Sequence, residues 1–257
     1  MATISDVLVL CYHAVSPRWP ADLSLTPEAF ERQLALLAGR GYVGATFHDA
    51  VTAPPAKRTM VVTFDDAYLS VLELGKPVLD RLGLPATVFV PTDYPDRDGP
   101  MAWPGIDQWM GTEHEAELRP MTWAQMAGLA EAGWEIGSHT CSHPHLTRLD
   151  AAALDREMAA SREECERRLG RPCRTIAYPY GDYDQRVVAA AARAGYEAAC
   201  TLPARFHAAQ PLEWPRVGVY HGDDERRFRM KVSPLVRRAR ASRAWSALDG
   251  VRRALRR

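Results

Sequence analysis

The chain has 257 residues, of which 47% are hydrophobic, 25% charged and 9% aromatic. This is the composition of a globular protein, and it excludes a disordered chain, a collagen and a multipass membrane protein. The 32 basic residues balance the 32 acidic ones, which argues against a nucleic-acid partner, because a surface that faces phosphates normally makes its domain basic.

Eight short segments rich in apolar and β-branched residues predict strands, and helical patterns lie between most of them. The strand-like segments are Val7–Tyr12, Tyr42–Thr46, Met60–Phe64, Ala86–Val90, Glu135–Ser138, Arg174–Ala177, Glu197–Thr201 and Arg216–Tyr220. Strands that alternate with helices form right-handed βαβ units and a parallel sheet, which is either open or closed into a barrel. The number of strands favours a barrel.

Three of the helices are marked by signals at their ends. Thr26 and Pro27 suit the N-cap and first position of a helix. The segment Thr122–Ala132 opens with the Thr-x-x-Gln spacing of a capping box, and Ala151–Leu169 is followed by the helix-terminating Gly170.

Polar residues crowd at the points where four predicted strands end. They are Tyr12–His13, Asp65–Asp66, His139–His145 and Tyr178–Gly181. The carboxyl ends of parallel strands meet at one face, where active sites are built. The connection Pro91–Pro120, rich in Pro, Gly and Trp, is too long for a simple link, and we expect it to lie over the same face.

Two of these segments carry residues that suit a metal ion. On a helical turn, His139 and His143 would present their nitrogens on one side. Two imidazoles and one carboxylate would leave a coordination position open for water, as in catalytic zinc sites. Each feature alone has a plainer interpretation: the two histidines as polar surface, and the pair Asp65–Asp66 as a helix N-cap with a solvated neighbour.

The same segments resemble, in order, the first three motifs of the polysaccharide deacetylase family, which is carbohydrate esterase family 4 or the NodB-homology domain. The matching segments are Thr63–Asp66, Gly137–Leu146 and Ala177–Gly181, and the resemblance extends from Tyr12 to about Tyr220. It implies an α/β fold, a distorted (β/α) barrel with seven or eight parallel strands. It also implies metal-dependent removal of N-acetyl groups from amino sugars.

Residue by residue, the resemblance makes Asp65 the general base of the reaction. It makes Asp66, His139 and His143 the ligands of a divalent metal, with Zn²⁺ the expected ion. Tyr180 would contribute to the oxyanion hole through its backbone N–H.

The chain departs from the family pattern in two places. The third motif usually begins with an arginine that positions the base, and here that position holds Ala177; we expect Arg216 to supply the guanidinium from another strand. The usual leucine-x-histidine of the last motif, which supplies the general acid, is absent. His13 and His221 are the candidates, with His13 favoured because it directly follows a strand; for each, a structural hydrogen-bonded histidine is the alternative.

The charge is unevenly distributed. Arg229–Arg257 contains ten basic residues and one acidic residue, which leaves the body of the chain acidic. We therefore divide the chain into a barrel of residues 1–228 and a basic amphipathic C-terminal tail helix of residues 229–257. The apolar stripe of the tail, which includes Ala241, Trp245 and Leu255, predicts either contact with a membrane surface or packing on the acidic body.

The chain carries no recognisable secretory signal or spanning segment, because its first apolar run, Val7–Cys11, is too short for either. The five cysteines are scattered and odd in number, which favours reduced thiols. We expect a cytoplasmic protein, which would lie at the inner membrane face if its tail binds lipid.

The sequence therefore predicts a metal-dependent hydrolase that removes N-acetyl groups from an N-acetylated sugar or glycan precursor. That substrate would be lipid-linked if the tail docks on a membrane. Two alternatives stay open: an amidohydrolase of a small cyclic amide or ureide, and a carbohydrate-binding barrel without catalysis.

Overall fold

The structure, a computed structural model, describes residues 7–53, 58–203 and 209–241. The strands in these ranges are β1 (Val7–Tyr12), β2 (Ala14–Val15), β3 (Ser24–Leu25), β4 (Val43–Ala45), β5 (Thr59–Phe64), β6 (Thr87–Val90), β7 (Glu135–Ser138), β8 (Thr175–Ala177), β9 (Ala198–Thr201), β10 (Trp214–Pro215) and β11 (Val217–Gly218). The α-helices are α1 (Pro27–Ala38), α2 (Phe47–Thr52), α3 (Lys76–Leu82), α4 (Trp123–Glu131), α5 (Ala151–Leu169), α6 (Gln185–Ala194), α7 (Glu225–Val232) and α8 (Pro234–Ala241).

Nine of the strands form one parallel sheet in the order β10-β9-β8-β7-β6-β5-β1-β11, with β4 paired to the first half of β5. The two outer strands of this order are separated along the chain by a single residue, Arg216. The segment Trp214–Gly218 thus pairs with β9 at its start and with β1 at its end, and it joins the two edges of the sheet. The predicted (β/α) barrel with seven or eight parallel strands is confirmed.

The predicted strands correspond to β1 and to β4 through β11, with ends that differ by at most two residues. The largest difference is at the last strand, which begins at Trp214 and is interrupted at Arg216, whereas the sequence predicted one strand over Arg216–Tyr220. The backbone changes partner at this point, because the N–H of Arg216 donates to the carbonyl of Thr201 on β9, while Val217 already pairs with β1.

The predicted helix ends are also confirmed. The Thr26 side chain accepts from the N–H of Ala29, and Thr122 and Gln125 form both hydrogen bonds of a capping box. Gly170 ends α5 in the left-handed conformation.

Apolar side chains cover both faces of the barrel strands. On β1, Leu8 and Leu10 belong to the large cluster that packs against the helices, whereas Val7 and Val9 belong to a smaller cluster inside the barrel. This is why β1 is a continuous apolar run rather than an alternating one. Because successive side chains alternate, inward positions recur at every second residue. His13, in the series that begins with Val7 and Val9, and Asp65, in the series of Val61, fall on such positions at the carboxyl ends of their strands and line the barrel mouth.

The described part of the tail packs on the barrel. Helix α7 runs through the predicted boundary at residues 228 and 229, and Phe228 and Val232 are both in the large cluster. Arg237 of α8 is buried and donates to the carbonyl of Val7, the first residue of β1. The apolar stripe beyond Ala241 lies outside the described residues. Within the described ranges, no helix has the length and apolar character needed to span a membrane.

Candidate active site

All seven residues predicted for the site line one cavity of about 560 Å³ at the carboxyl ends of the strands. They are His13, Asp65, Asp66, His139, His143, Tyr180 and Arg216. His13 follows β1, the aspartates follow β5, the histidine pair follows β7, and Tyr180 follows β8. Arg216 comes from the closing segment, Trp214–Gly218, which joins the two edges of the sheet. The parallel barrel thus collects residues from five separate parts of the chain.

Asp66, His139 and His143 form a compact group of possible metal ligands. The Asp66 Oδ1 atom lies 3.5 Å from Nε2 of His139 and 3.4 Å from Nε2 of His143, and all three residues are buried. Among the described residues, Asp66 Oδ1 has no hydrogen-bond partner. The group therefore presents two nitrogens and one oxygen toward a common point.

The protonation of both histidines suits metal binding. The carbonyl of Ala177 accepts a hydrogen bond of 2.7 Å from Nδ1 of His139, so this nitrogen carries the proton and Nε2 is left as the free ligand atom. Burial lowers the pKa of His139 and holds the pKa of His143 well below its usual value. Both side chains are neutral near pH 7, the form that coordinates a cation.

The prediction that this pair sits on a helical turn is wrong. The segment after β7 is a loop, in which Thr140 and His143 adopt left-handed backbone conformations with φ of 69° and 60°. The threonine side chain accepts from the N–H of His143 (3.2 Å) and stabilises this bend. The loop brings the two imidazole rings to 4.9 Å between centroids.

Asp65 has entirely different surroundings from its neighbour. Arg216 donates to both carboxylate oxygens, over 2.6 and 2.7 Å, and also to the hydroxyl of Thr63 at 3.0 Å. Burial alone would raise the pKa of Asp65, but the Arg216 guanidinium, with a smaller contribution from His139, holds it well below its usual range. Asp65 is therefore ionised at any working pH. The pKa of Asp66, in contrast, is raised well above its usual value by burial and by the negative charge of Asp65, in the absence of a cation.

The guanidinium expected in place of a side chain at position 177 is that of Arg216, which lies between β10 and β11 and reaches Asp65. Ala177 is completely buried at the end of β8, inside the barrel. Its backbone, rather than its side chain, contacts the site, through the hydrogen bond from His139.

The two candidate general acids occupy different places. His13 lines the cavity, with its Nδ1 atom buried and without a hydrogen-bond partner among the described residues. Burial lowers the pKa of His13 to about 4. His221 is exposed and does not line the cavity.

Tyr180 lies in the turn Pro179–Gly181 with a left-handed φ of 59°. Its ring is 4.5 Å from the ring of His143 and stacks on His145 at 4.0 Å. Its hydroxyl donates to the carbonyl of Pro104 (3.1 Å), which links the turn to the long connection. The backbone of Tyr180 is thereby fixed beside the candidate metal ligands.

The connection between Pro91 and Pro120 forms one wall of the cavity, as predicted from its length. Trp103 stacks on His143 with ring centroids 4.3 Å apart, and Trp109 lines the wall further out. The sequence alone assigns no role to the tryptophans of this region, because aromatic residues in a long loop form the loop's own small core as often as they contact a sugar.

Cys11, one of five free cysteines, is a neighbour of the site that the sequence analysis missed. Its Sγ atom lies 3.4 Å from Oδ2 of Asp65 and donates to it. The alternation of side chains along β1 could have indicated this position. Val7 and Val9 face the barrel interior, so Cys11, two residues further on, faces it as well.

Left-handed backbone conformations of residues other than glycine concentrate at this site. In the described ranges they are Asp66, Ala67, Asp96, Thr140, His143 and Tyr180. All but Asp96 lie just beyond β5, β7 or β8. Each costs about 1–2 kcal/mol for an L-residue, and such strain persists where the surrounding structure over-determines it, commonly at functional sites.

Comparison with known proteins identifies the family of the chain. The family model described as polysaccharide deacetylase matches residues 52–199, more than half of the chain. The chain therefore belongs to the polysaccharide deacetylase family, as its motifs predict.

Two curated proteins illustrate the relationship. YxkH of Bacillus subtilis (strain 168), whose name places it among the polysaccharide deacetylases, is 27% identical over 198 residues, which are 75% of this chain and 63% of YxkH. A chitooligosaccharide deacetylase of Bradyrhizobium sp. (strain ANU 289) is 35% identical over 91 residues, 34% of this chain and 37% of that protein. The chain thus spans less than two thirds of the length of these relatives.

Solved structures share the fold. The Streptococcus pyogenes deacetylase PplD, in complex with acetate, has a TM-score of 0.73 at 23% identity, over 89% of this chain and 98% of PplD. A polysaccharide deacetylase from Bacillus cereus has a TM-score of 0.72 at 24% identity, over 88% of this chain and 69% of that one.

Proposed function

We propose that the protein is a metal-dependent N-deacetylase, which hydrolyses the acetamide of an N-acetylated amino sugar or glycan precursor. The observation that carries this proposal is the contrast between two adjacent carboxylates in one cavity. Asp66 faces two histidine nitrogens, whereas Asp65 faces a guanidinium. Such a division is what a metal ligand and a separate general base require.

The residues fit a divalent cation. Asp66 Oδ1 is buried without a hydrogen-bond partner among the described residues, and burial of a polar atom in that condition costs free energy that a cation would offset. Asp66, His139 and His143 would hold the ion, and their nitrogen and oxygen donors suit Zn²⁺. When bound, the ion would polarise the acetamide carbonyl and lower the pKa of a water molecule.

Asp65 would take the proton from the attacking water. Arg216 occupies one hydrogen-bonding direction on each carboxylate oxygen, and the Cys11 thiol occupies a second on Oδ2. Oδ1 is therefore the oxygen that retains a lone pair for the water proton. The low pKa keeps this base deprotonated. We assign Arg216 as a positioning residue, because its bidentate contact fixes the plane of the carboxylate.

His13 would deliver a proton to the departing nitrogen. It is neutral near pH 7, so it must first receive a proton. Single ligand-type atoms of His13, Asp65 and Cys11 lie within 4.8 Å of one another. This is close enough for one bridging water molecule, through which the proton accepted by Asp65 would pass to His13. The carbon–nitrogen bond then breaks, and the products are acetate and a free amine.

The backbone N–H of Tyr180 would stabilise the negative oxygen of the tetrahedral intermediate. The turn at Pro179–Gly181 is fixed by the ring contacts of Tyr180 and by its hydrogen bond to Pro104. A donor that needs no rearrangement is the kind that contributes most to stabilising such an oxyanion.

The first test is the metal content of the purified protein, measured by elemental mass spectrometry. We expect about one equivalent of zinc after incubation with Zn²⁺, and little in the double variant His139→Ala/His143→Ala. His221→Ala, which alters an exposed histidine outside the cavity, is the matched control. Wild-type protein without metal, or without acetate release from any N-acetylated oligosaccharide when loaded, would refute the proposal.

Lipid linkage of the substrate, a cytoplasmic location and membrane contact by the tail are further parts of the proposal. The described part of α8 contacts the amino-terminal end of β1 through Arg237 and Val7, at the opposite end of the strands from the cavity. The test is flotation with anionic liposomes, comparing the full chain with a chain that lacks residues 242–257. This deletion keeps the buried Arg237, so loss of binding reports on the tail and not on unfolding. Equal flotation of both chains would remove the tail from the proposal.

A further inference from the structure

The loop that carries the histidine pair is held from one side by a single carboxylate. Glu157, on α5, accepts hydrogen bonds from the backbone N–H groups of Cys141 (2.7 Å) and Ser142 (3.1 Å). Its second oxygen accepts from the Ser142 hydroxyl at 2.6 Å. Two consecutive amides that converge on one anion form a small concave anion-binding arrangement, built into the middle of the loop.

No cation competes for Glu157. Within the described ranges the carboxylate forms no ion pair at 4 Å or less, whereas three other acidic residues of the same helix, Asp155, Glu164 and Glu166, do. Its hydrogen bonds are charge-assisted, which makes them roughly twice as strong as neutral ones. The carboxylate therefore acts on the loop and not on a neighbouring side chain.

The loop needs such support because its conformation is strained. Thr140 and His143, on either side of the two amides, both have a left-handed φ. Other contacts hold the ends of the loop: the N–H of Thr140 donates to Ser138 Oγ, and its carbonyl accepts from the N–H of Thr92. In the middle of the loop, the carbonyl of Cys141 accepts from the N–H of Asp93 (3.0 Å). Among the described residues, Glu157 is the contact from outside the loop to the two N–H groups between the strained residues.

We infer that Glu157 is a positioning residue for metal binding. By fixing Cys141 and Ser142 it sets the position of His143, whose Nε2 atom must lie near Asp66 for the ligand group to form. This inference rests on the proposed function, since it assigns Glu157 a role toward the same ion. Outer residues that orient metal ligands typically change metal affinity by about 10- to 100-fold when mutated.

The test is the zinc dissociation constant, measured by competition with a chromophoric chelator. Glu157→Gln keeps the size of the side chain but removes the charge that strengthens its hydrogen bonds to the two N–H groups. It also replaces the oxygen that accepts from the Ser142 hydroxyl by an NH2 group. We expect the dissociation constant to rise by about 10- to 100-fold. Ser142→Ala, which removes only the hydroxyl contact, is a milder variant and should give a smaller rise.

Glu163→Gln is the matched control, because Glu163 is an exposed glutamate on the same helix. A second readout is the increase in melting temperature on addition of zinc, which follows the affinity by linkage. It should shrink in Glu157→Gln and be unchanged in Glu163→Gln. At saturating zinc, acetate release by Glu157→Gln should recover, as expected of a residue that acts through the metal site.

Two outcomes separate the hypotheses. If wild type binds zinc and Glu157→Gln is less stable but binds with the same affinity, Glu157 is only a structural residue and the inference is wrong. If wild type binds no zinc at all, the proposed function itself fails.

Discussion

Arg216 holds Asp65 by two parallel hydrogen bonds of 2.6 and 2.7 Å, although 151 residues separate them along the chain. The guanidinium is buried and its ring neighbour is Phe89, 5.6 Å away. A pair of this kind combines a fixed geometry with a strong effect on protonation. Its removal should therefore be visible both in catalysis and in the response to acid.

We predict that Arg216→Lys lowers kcat/KM by about 10²-fold, because a single ammonium cannot hold the carboxylate plane. The acid limb of the pH–rate profile should move to higher pH, since burial would then raise the pKa of Asp65 with less opposition. The pKa of Asp65 is lower in the folded protein than in the unfolded chain. The ionised carboxylate therefore stabilises the fold at a pH above the unfolded-state pKa, and this stabilisation is lost as the pH falls through the folded-state pKa. The variant should accordingly unfold at a higher pH in acid titrations.

Arg193→Lys is a suitable control for this variant, because Arg193 forms an exposed pair with Asp155 and such pairs contribute little. An unchanged pH–rate profile in Arg216→Lys would contradict the assigned role.

The neighbouring aspartates should respond differently to the same substitution. Asp65→Asn is expected to keep zinc and lose about 10²- to 10⁴-fold in rate, the usual contribution of a positioned base. Asp66→Asn is expected to lose zinc affinity as well. Zinc titration and acetate release on both variants check this, and the opposite pattern would exchange the two roles.

His13→Ala should lose about 10²- to 10⁴-fold in kcat, whereas His221→Ala should resemble wild type. His13 has a native pKa of about 4, below its unfolded value, so the unfolded chain binds more protons between these two values and stability rises with pH across that window. Urea unfolding of wild type and His13→Ala from pH 4 to 6.5 should show a weaker pH dependence in the variant. Equal rates for the two alanine variants would exclude His13 as the acid.

Two glycine substitutions should have opposite effects on stability. A Cβ atom on Gly137 would lie 2.7 Å from the Phe89 ring and 2.6 Å from Thr175 Oγ1, inside the barrel. Gly137→Ala should therefore cost about 1–3 kcal/mol of unfolding free energy. Gly128 lies in α4 with open space around it, and Gly128→Ala should add about 0.5–1 kcal/mol. Chemical denaturation measures both, and a stable Gly137→Ala protein would mean that the Phe89 ring moves aside.

The elements of the fold could be predicted because their signals are local. Thr122 and Gln125 are three residues apart, and the apolar run of β1 is continuous, so neither depends on distant parts of the chain. The same holds for the clustering of polar residues at strand ends. The strand that begins at Trp214 was placed too late because its pairing changes at Arg216, and this change exists only in the closed barrel.

The sequence predicted residues that line one cavity in the structure, but it did not predict how they are arranged there. The spacing of His139 and His143 pointed to a shared ion, yet it suggested a helical turn, since left-handed conformations at threonine and histidine are not encoded in the spacing. The sequence offered Arg216 only as a substitute for a missing arginine, because contact with Asp65 requires barrel closure. The hydrogen bonds from the loop to Glu157 could not be predicted from the sequence. They join helix α5 to the loop after β7, and residue periodicity describes each of these elements by itself.

The closing segment Trp214–Gly218 also has a consequence for biosynthesis. Before this part of the chain leaves the ribosome, β1 and β9 have unpaired edges, and exposed strand edges invite aggregation. Asp65 would at that stage be a carboxylate without its guanidinium. A nascent or truncated chain that ends before residue 214 therefore lacks both the segment that closes the sheet and the guanidinium of the candidate site. Synthesis of this segment couples completion of the fold to completion of that site.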